Sequence, residues 1–157
     1  MIMADLTQRP RTLAPPPLVY AAGLGAGWWL QQVLPLGFTT SYMLRQMAWG
    51  ALGLGLLFML WAVWTIWRHH TTVNPYKAAS TLVTHGPFAY TRNPIYVADM
   101  LVYLAVTLLM GSVWPVFFVP LVWVIMRYAV IAHEEAHLTA KFGEAYRAYC
   151  AQVRRWL

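Results

Sequence analysis

The sequence predicts an all-α integral membrane protein with four transmembrane helices and a C-terminal amphipathic helix on the cytoplasmic face. Of its 157 residues, 60% are hydrophobic and 10% are charged, whereas soluble proteins carry roughly a quarter charged residues. The apolar residues form runs that approach the ~20 residues a helix needs to cross a bilayer. The length predicts one membrane domain. The net charge of +6 indicates contact with membrane lipids and gives no sign of nucleic-acid binding, because the basic residues lie between apolar runs.

The first half of the chain predicts a tail, two transmembrane helices and a loop. Residues 1–17 form an N-terminal tail that contains a run of three prolines. Two apolar stretches follow, 18–36 and 42–67, and each is long enough to cross the membrane. The segment 68–94 is polar and contains turn residues, which predicts a cytoplasmic loop.

The second half predicts a transmembrane hairpin and a surface helix. Residues 95–131 hold two further apolar stretches, 95–110 and 113–131, separated by a short turn without charge. In residues 132–157 apolar side chains recur at spacings of three and four, with an interruption at Gly143. That spacing predicts an amphipathic helix lying on the membrane surface or folded under the bundle.

The basic residues predict the orientation. Of the eleven Lys and Arg residues, Arg45 begins the second helix and Arg127 lies in the fourth. The other nine lie before the first helix, between the second and third helices, or after the fourth: Arg9, Arg11, Arg68, Lys77, Arg92, Lys141, Arg147, Arg154 and Arg155. Under the positive-inside rule, both termini and the 68–94 loop are cytoplasmic. We therefore expect an inner-membrane protein of a bacterium whose polar segments, and hence its active site, share the cytoplasmic face.

The end of the 68–94 loop is the leading candidate for a functional site. Residues 82–96 combine a His, an Arg, an Asn and several aromatic residues with the chain-breaking Gly86, Pro87 and Pro94. Binding and catalytic residues concentrate on loops held by a rigid scaffold. This segment therefore predicts a binding or catalytic role.

Ionisable residues near the end of the fourth helix form a second candidate. Glu134 and Glu135 are adjacent carboxylates and need a cation or hydrogen-bond donors nearby. Arg127 lies seven residues before Glu134, which on a regular α-helix places both on one face. Asp99 is the acid of the hairpin and could pair with Arg127 or Arg92.

The residues His133 to His137 also match the zinc-binding pattern H-E-x-x-H. A catalytic zinc site needs a third protein ligand, and Asp99 is the candidate. An intramembrane metalloprotease is therefore an alternative, although we expect no metal in the preferred interpretation.

Two blocks of residues form recognisable motifs. The first block is Leu82-Val83-Thr84, Gly86-Pro87-Phe88, Arg92-Asn93-Pro94 and Tyr96. The second is Glu134-Glu135, Leu138, Phe142-Gly143, Tyr146, Tyr149 and Val153-Arg154. Together they resemble the isoprenylcysteine carboxyl methyltransferase and phospholipid methyltransferase superfamily. One hairpin separates them, and the resemblance covers residues 74–157.

The resemblance implies an integral membrane methyltransferase that uses S-adenosyl-L-methionine, bound at the cytoplasmic ends of the last helices. The implied cofactor-binding residues are Ser80, Thr81, Leu82, Val83, His85, Gly86, Phe88, Asn93, Pro94, Ile95, Tyr96 and Glu134. The predicted catalytic residues are three. Arg127 would anchor an anionic acceptor, Arg92 would shape the motif, and Glu135 would assist deprotonation of an amine acceptor.

The acceptor implied is lipophilic, and most directly the carboxylate of an isoprenylcysteine-like or prenylated substrate. The sequence departs from that pattern at Val130, where eukaryotic members carry an Arg, and at Ser80 and Asn93, where a His is common. A phospholipid or a small thiol is the alternative acceptor. A membrane reductase that uses NADPH is the alternative from another enzyme class.

Overall fold

In the computed structural model, residues 14–69 and 80–157 are described. Predictions for Arg9, Arg11, Lys77 and the rest of 1–13 and 70–79 lie outside the described residues. In the described ranges the elements are α1 (Pro16–Val33), α2 (Tyr42–Arg68), a 3₁₀ turn (Gly86–Ala89), α3 (Pro94–Met110), α4 (Trp114–Ile125), a π-helical segment (Met126–Ile131), α5 (Ala132–Phe142) and α6 (Glu144–Gln152).

Local sequence explains where these helices begin and end. Pro16, Pro94 and Pro115 lie in the first turns of α1, α3 and α4, where a missing N–H costs nothing and the fixed φ suits a helix. Ser41 caps α2, because its hydroxyl accepts a hydrogen bond from the Leu44 N–H at 3.2 Å. Gly111 ends α3 with a φ of 61°, a conformation that favours glycine.

The helices pack in the order α2, α3, α1, α4, so that α2 and α4 lie at the two edges of the bundle. The core lies where α1, α3, α4 and the π-helical segment meet, and it contains Tyr20, Tyr103, Val122 and Met126. The outer faces carry large exposed apolar side chains, as expected of a surface covered by lipid. The end of the bundle at which α2 ends and α3 begins is called the polar end below.

Within residues 14–69 and 80–157, two helices are long and apolar enough to cross a membrane, namely Tyr42–Arg68 and the continuous helix Trp114–Phe142. The helix Pro94–Met110 is apolar but shorter. The prediction of four membrane-crossing helices therefore stays a prediction for α1 and α3, and so does the amphipathic surface location of the last segment. That last segment is two helices, α5 and α6, separated at Gly143.

The π-helical segment changes an expectation about Arg127. A π-helical turn takes up roughly one residue more than an α-helical turn. Because residues 126–131 are π-helical, the seven-residue spacing from Arg127 to Glu134 does not place the two side chains on one face. The sequence assumed a regular helix, and nothing in its pattern marks this segment as different.

Gly27 allows α1 to approach α4 closely, and replacing it should destabilise the bundle. A Cβ at Gly27 would lie 2.5 Å from Cγ of Pro115, so the two helices would have to separate. We expect Gly27→Ala to lower the free energy of unfolding by about 2 kcal/mol. Gly25→Ala is the control, since a Cβ there meets no atom within 4 Å. Thermal unfolding in detergent measures both, and equal stability of the two variants would contradict the close approach.

Candidate active site

A hydrogen bond between Tyr96 and Glu134 joins the two motif blocks. Tyr96 lies in the first turn of α3 and is buried. Its hydroxyl donates to Oε1 of Glu134 at 2.6 Å, and its carbonyl accepts a hydrogen bond from the Tyr20 hydroxyl at 3.2 Å. The segment that enters α3 and the carboxylates that begin α5 therefore meet at the polar end.

Glu135 binds two arginines. Nε of Arg155 donates to Oε1 at 2.9 Å and the terminal nitrogen of Arg155 donates to Oε2 at 2.6 Å. A terminal nitrogen of Arg92 lies 3.3 Å from Oε1. The side chains of Arg92 and Glu135 are only 15% and 17% exposed, so these charges are well shielded from water. The hydrogen bond to Glu135 raises the pKa of Arg155, which therefore stays charged.

The segment after α6 lies against the start of α3. The Arg155 carbonyl accepts hydrogen bonds from the Thr91 hydroxyl at 3.1 Å and from the Asn93 amide at 2.9 Å. The Arg92 backbone N–H donates to the Arg154 carbonyl at 2.9 Å. These contacts and the Glu135 ion pairs form what we call the C-terminal clasp: Thr91, Arg92, Asn93, Glu135, Arg154 and Arg155. In it the Asn93 side chain binds backbone, so its expected contact with a cofactor stays a prediction.

Helix α6 adds further contacts to the same segment. The Tyr149 hydroxyl donates to the Phe88 carbonyl at 2.7 Å. Burial raises the pKa of Tyr149 to about 12, so this hydroxyl keeps its proton at neutral pH. A terminal nitrogen of Arg92 donates to Sγ of Cys150 at 2.7 Å. The motif residues 88–93 are thus held by α6 and by the segment that follows it.

His85 and Gly86 face a different helix, the end of α2. The Nε2 atoms of His85 and His69 are 2.5 Å apart. Gly86 has a φ of +63°, and a Cβ there would lie 3.1 Å from the Thr65 hydroxyl, so both the backbone conformation and the space favour glycine. The motif therefore has two halves, 85–86 against α2 and 88–96 against the C-terminal helices.

A cleft of about 460 Å³ lies beside the first half of the motif. Its lining residues come from the last turns of α2 and from the start of the 3₁₀ turn: Trp61, Trp64, Thr65, Arg68, His69, His85 and Gly86.

The other predicted cofactor residues differ in exposure. Ser80 and Thr81 are exposed, Leu82 and Phe88 are half-buried, and Val83 is buried. Pro94 is buried in the first turn of α3, and Ile95 packs on the core of the bundle. The sequence predicted that all of these residues line one cofactor pocket. In the structure, Pro94 helps to start α3 and Ile95 packs on the core.

Among the ion pairs of the described residues, Arg127 pairs with neither of the two carboxylates. Its guanidinium stacks on the rings of Trp123 and Tyr128, 5.2 and 5.5 Å from the ring centres, and both aromatic residues are exposed. Asp99 takes part in none of the ion pairs of the described residues. Arg92, one of its two expected partners, is paired with Glu135 instead. The expected pairing of Asp99 with either arginine is therefore not found.

The zinc alternative lacks its ligands in the described ranges. Among residues 14–69 and 80–157, no group of three or more His, Cys, Asp or Glu side chains is arranged to hold a metal ion. The carboxylate between the two histidines, Glu134, binds the Tyr96 hydroxyl.

Sequence reasoning missed two residues of the clasp. Thr91 and Arg155 were not predicted as site residues. Thr91 lies beside a motif and Arg155 lies near the end of the sequence. Both residue types are common at such positions, so neither indicates a functional site by itself. Tyr149 was part of the resemblance, but only as a motif residue.

Comparison with known proteins identifies the family. A family model described as phospholipid methyltransferase matches residues 44–145, which include α2, the motif, the hairpin and both glutamates. The chain belongs to the phospholipid methyltransferase family. An uncharacterised protein of Haemophilus influenzae is 38% identical over 63 residues, which are 40% of this chain and all of that protein. No solved structure matches the chain.

Family membership gives the reaction class. The phospholipid methyltransferase family belongs to the same superfamily of membrane methyltransferases that the motif blocks resemble. The family and the two long apolar helices together indicate a membrane methyltransferase.

Proposed function

We propose that this protein transfers a methyl group from S-adenosylmethionine to a lipophilic acceptor held in the bilayer. The observation that carries the proposal is the contact of Tyr96 with Glu134, which joins the two motif blocks in a chain of the phospholipid methyltransferase family.

The residues at the polar end suit the cofactor. The Glu134 carboxylate can accept hydrogen bonds from the cofactor's ammonium group or ribose hydroxyls, and Tyr96 and Phe88 offer aromatic faces to adenine or to the sulfonium. Within the described residues, the buried Nε of Arg92 and Nε1 of Trp156 have no hydrogen-bond partner. Buried donors without a partner are costly, so these two are candidates for contact with a bound cofactor.

The protein's contribution to the reaction is alignment and exclusion of water. When bound, S-adenosylmethionine supplies an activated methyl group, and transfer requires donor and acceptor in line in a dry site. The clasp holds the motif beside Glu134 and covers it with the segment after α6. Glu135 has both oxygens on arginines, so its main role here is to close the clasp.

The acceptor has two lipophilic candidate classes, besides a small thiol. An isoprenylcysteine-like carboxylate, anchored by Arg127, follows from the sequence resemblance. An amine-bearing phospholipid follows from the family description. Both are lipophilic and both would reach the polar end from the bilayer. We therefore propose a lipophilic acceptor, the class that includes both.

Binding measurements on the detergent-solubilised protein test the cofactor. We expect S-adenosylhomocysteine to bind with a stoichiometry of about one, and NADPH to give no heat in the same calorimetric titration. Transfer of a radiolabelled methyl group is then measured against prenylcysteines, phosphatidylethanolamine and small thiols. Binding of NADPH without S-adenosylhomocysteine would replace the proposal by the reductase.

A further inference from the structure

A tyrosine on α1 reaches the candidate active site from outside the segment that the family model matches. Tyr20 lies in the second turn of α1 and is 6% exposed, whereas the family match begins at residue 44. The Tyr20 hydroxyl donates to the carbonyl of Tyr96 at 3.2 Å. The Tyr96 hydroxyl in turn donates to Oε1 of Glu134 at 2.6 Å. Two phenol hydroxyls therefore connect α1, α3 and α5 in series.

The hydroxyl of Tyr20 is not needed to fill the core. A phenylalanine ring would occupy nearly the same volume and would bring no polar atom whose burial is costly. The Tyr96 carbonyl does not need the bond either, because in an α-helix the N–H four residues later satisfies it. What the bond adds is a fixed position of the first turn of α3 relative to α1.

Packing fixes the ring of Tyr20, so its hydroxyl has a defined reach. The ring meets that of Tyr103 edge to face, with the ring centres 6.3 Å apart, and Tyr103 lies two helical turns after Tyr96 on α3. Nearly one turn after Tyr20, a Cβ at Gly23 would lie 3.0 Å from the Tyr103 hydroxyl, so α1 approaches α3 closely here. Tyr20 therefore contacts α3 at two levels, with its ring and with its hydroxyl.

The position of Tyr96 decides where the Glu134 carboxylate points. One carboxylate oxygen accepts the hydrogen bond from Tyr96, which fixes the rotation of the carboxylate. Binding groups must be held to within roughly 0.5 Å of their productive geometry by neighbours that are themselves locked by packing and hydrogen bonds. A small shift of the first turn of α3 would therefore move the carboxylate relative to the cofactor's ammonium group.

We propose that Tyr20 is a positioning residue of the methyltransferase site, which aligns Glu134 with the methyl donor through Tyr96. The inference rests on the proposed function, because it assigns Tyr20 a role toward the cofactor held at Glu134. It makes α1 part of the support of the active site, although no residue of α1 belongs to either motif block.

Removal of the Tyr20 hydroxyl tests this role, and Tyr103 supplies the matched control. Tyr20→Phe keeps the ring and deletes the bond to Tyr96. The affinity for S-adenosylhomocysteine should fall by roughly two- to tenfold, since the net contribution of one neutral hydrogen bond limits what it can transmit. Tyr103→Phe also deletes a buried hydroxyl, which donates to the Pro115 carbonyl at 2.7 Å. It should lower the Tm in detergent at least as much and leave the affinity unchanged. Calorimetry and thermal unfolding measure the two quantities.

A double-mutant cycle distinguishes positioning through Tyr96 from general destabilisation. In the Tyr96→Phe background the hydroxyl that holds Glu134 is gone, so adding Tyr20→Phe should lower the affinity by less than about twofold further. Additive losses of affinity would overturn the proposal. So would equal losses in Tyr20→Phe and Tyr103→Phe, or an unchanged affinity in Tyr20→Phe.

The proposed function and the positioning role fail in different ways. Binding of S-adenosylhomocysteine by the parent, together with an unchanged affinity in Tyr20→Phe, refutes the positioning role alone. A parent protein that does not bind S-adenosylhomocysteine refutes the proposed function, and with it the role toward the cofactor. The coupling of Tyr20 to Tyr96 is then measured by the same cycle on thermal unfolding, where strictly additive effects would show that the two side chains are independent.

Discussion

Replacing Glu134 by Gln should lower the affinity for S-adenosylhomocysteine by roughly 10–100-fold, the value expected for one hydrogen bond to a charged group. The amide has the shape of the carboxylate and can still accept the Tyr96 hydrogen bond, so the fold should persist. What it loses is the negative charge that would meet the cofactor's ammonium group. Calorimetry measures the affinity, and the radiolabel assay measures kcat/KM, which should fall at least as far.

Glu144→Gln is the matched control for Glu134→Gln. Glu144 begins α6, its side chain is 85% exposed, and it pairs with Arg147 on the surface. Its replacement should leave cofactor affinity unchanged, because exposed ion pairs contribute little. If the two variants bind the cofactor equally well, Glu134 is not a cofactor ligand. Tyr96→Phe separates the roles further, since it keeps the charge and removes the hydrogen bond that positions it.

Replacing Glu135 by Gln should destabilise the protein by about 2–4 kcal/mol. The change leaves Arg92 and Arg155 shielded from water without their counter-charge, and breaking a buried ion pair from one side is costly. Arg155 is 31% exposed, which keeps the expected value below the upper end for fully buried pairs. Unfolding in a titration with sodium dodecyl sulfate measures the stability.

A second readout locates the effect of Glu135→Gln in the C-terminal clasp. Opening of the clasp frees the backbone around Arg154 and Arg155, so trypsin should cut there faster in Glu135→Gln than in the parent. Glu144→Gln again serves as the control for stability. Unchanged unfolding together with unchanged cleavage would mean that the ion pairs of Glu135 do not hold the segment in place.

The positions of the helices could be predicted from the sequence with different accuracy. Apolar length and proline and glycine positions predicted the helices at 42–67 and 95–110 to within one residue of α2 and α3. The first helix was predicted at 18–36, so its start was two residues late and its end three residues late. The π-helical segment at 126–131 could not be foreseen, because its residues carry no signature that distinguishes it from an α-helix.

The candidate site could be predicted as a set of motif residues but not as a network. The motif blocks identified Tyr96, Glu134 and Glu135, since carboxylates and aromatic residues at a membrane boundary need partners. The partners themselves depend on tertiary folding. Nothing local to Arg155 indicates that its carbonyl will accept hydrogen bonds from Thr91 and Asn93. The division of the motif at Gly86 likewise depends on where α2 ends.

The C-terminal clasp also constrains the order in which the protein can mature. The bonds from Thr91 and Asn93 to Arg155 span 64 and 62 residues. While the ribosome is still making α4 and α5, the backbone partners of residues 91–93 at Arg154 and Arg155 do not yet exist, so the clasp cannot close. Closure of the clasp is therefore a late, long-range step. A nascent chain halted after α5 would contain α3 and α4 but could not form the clasp.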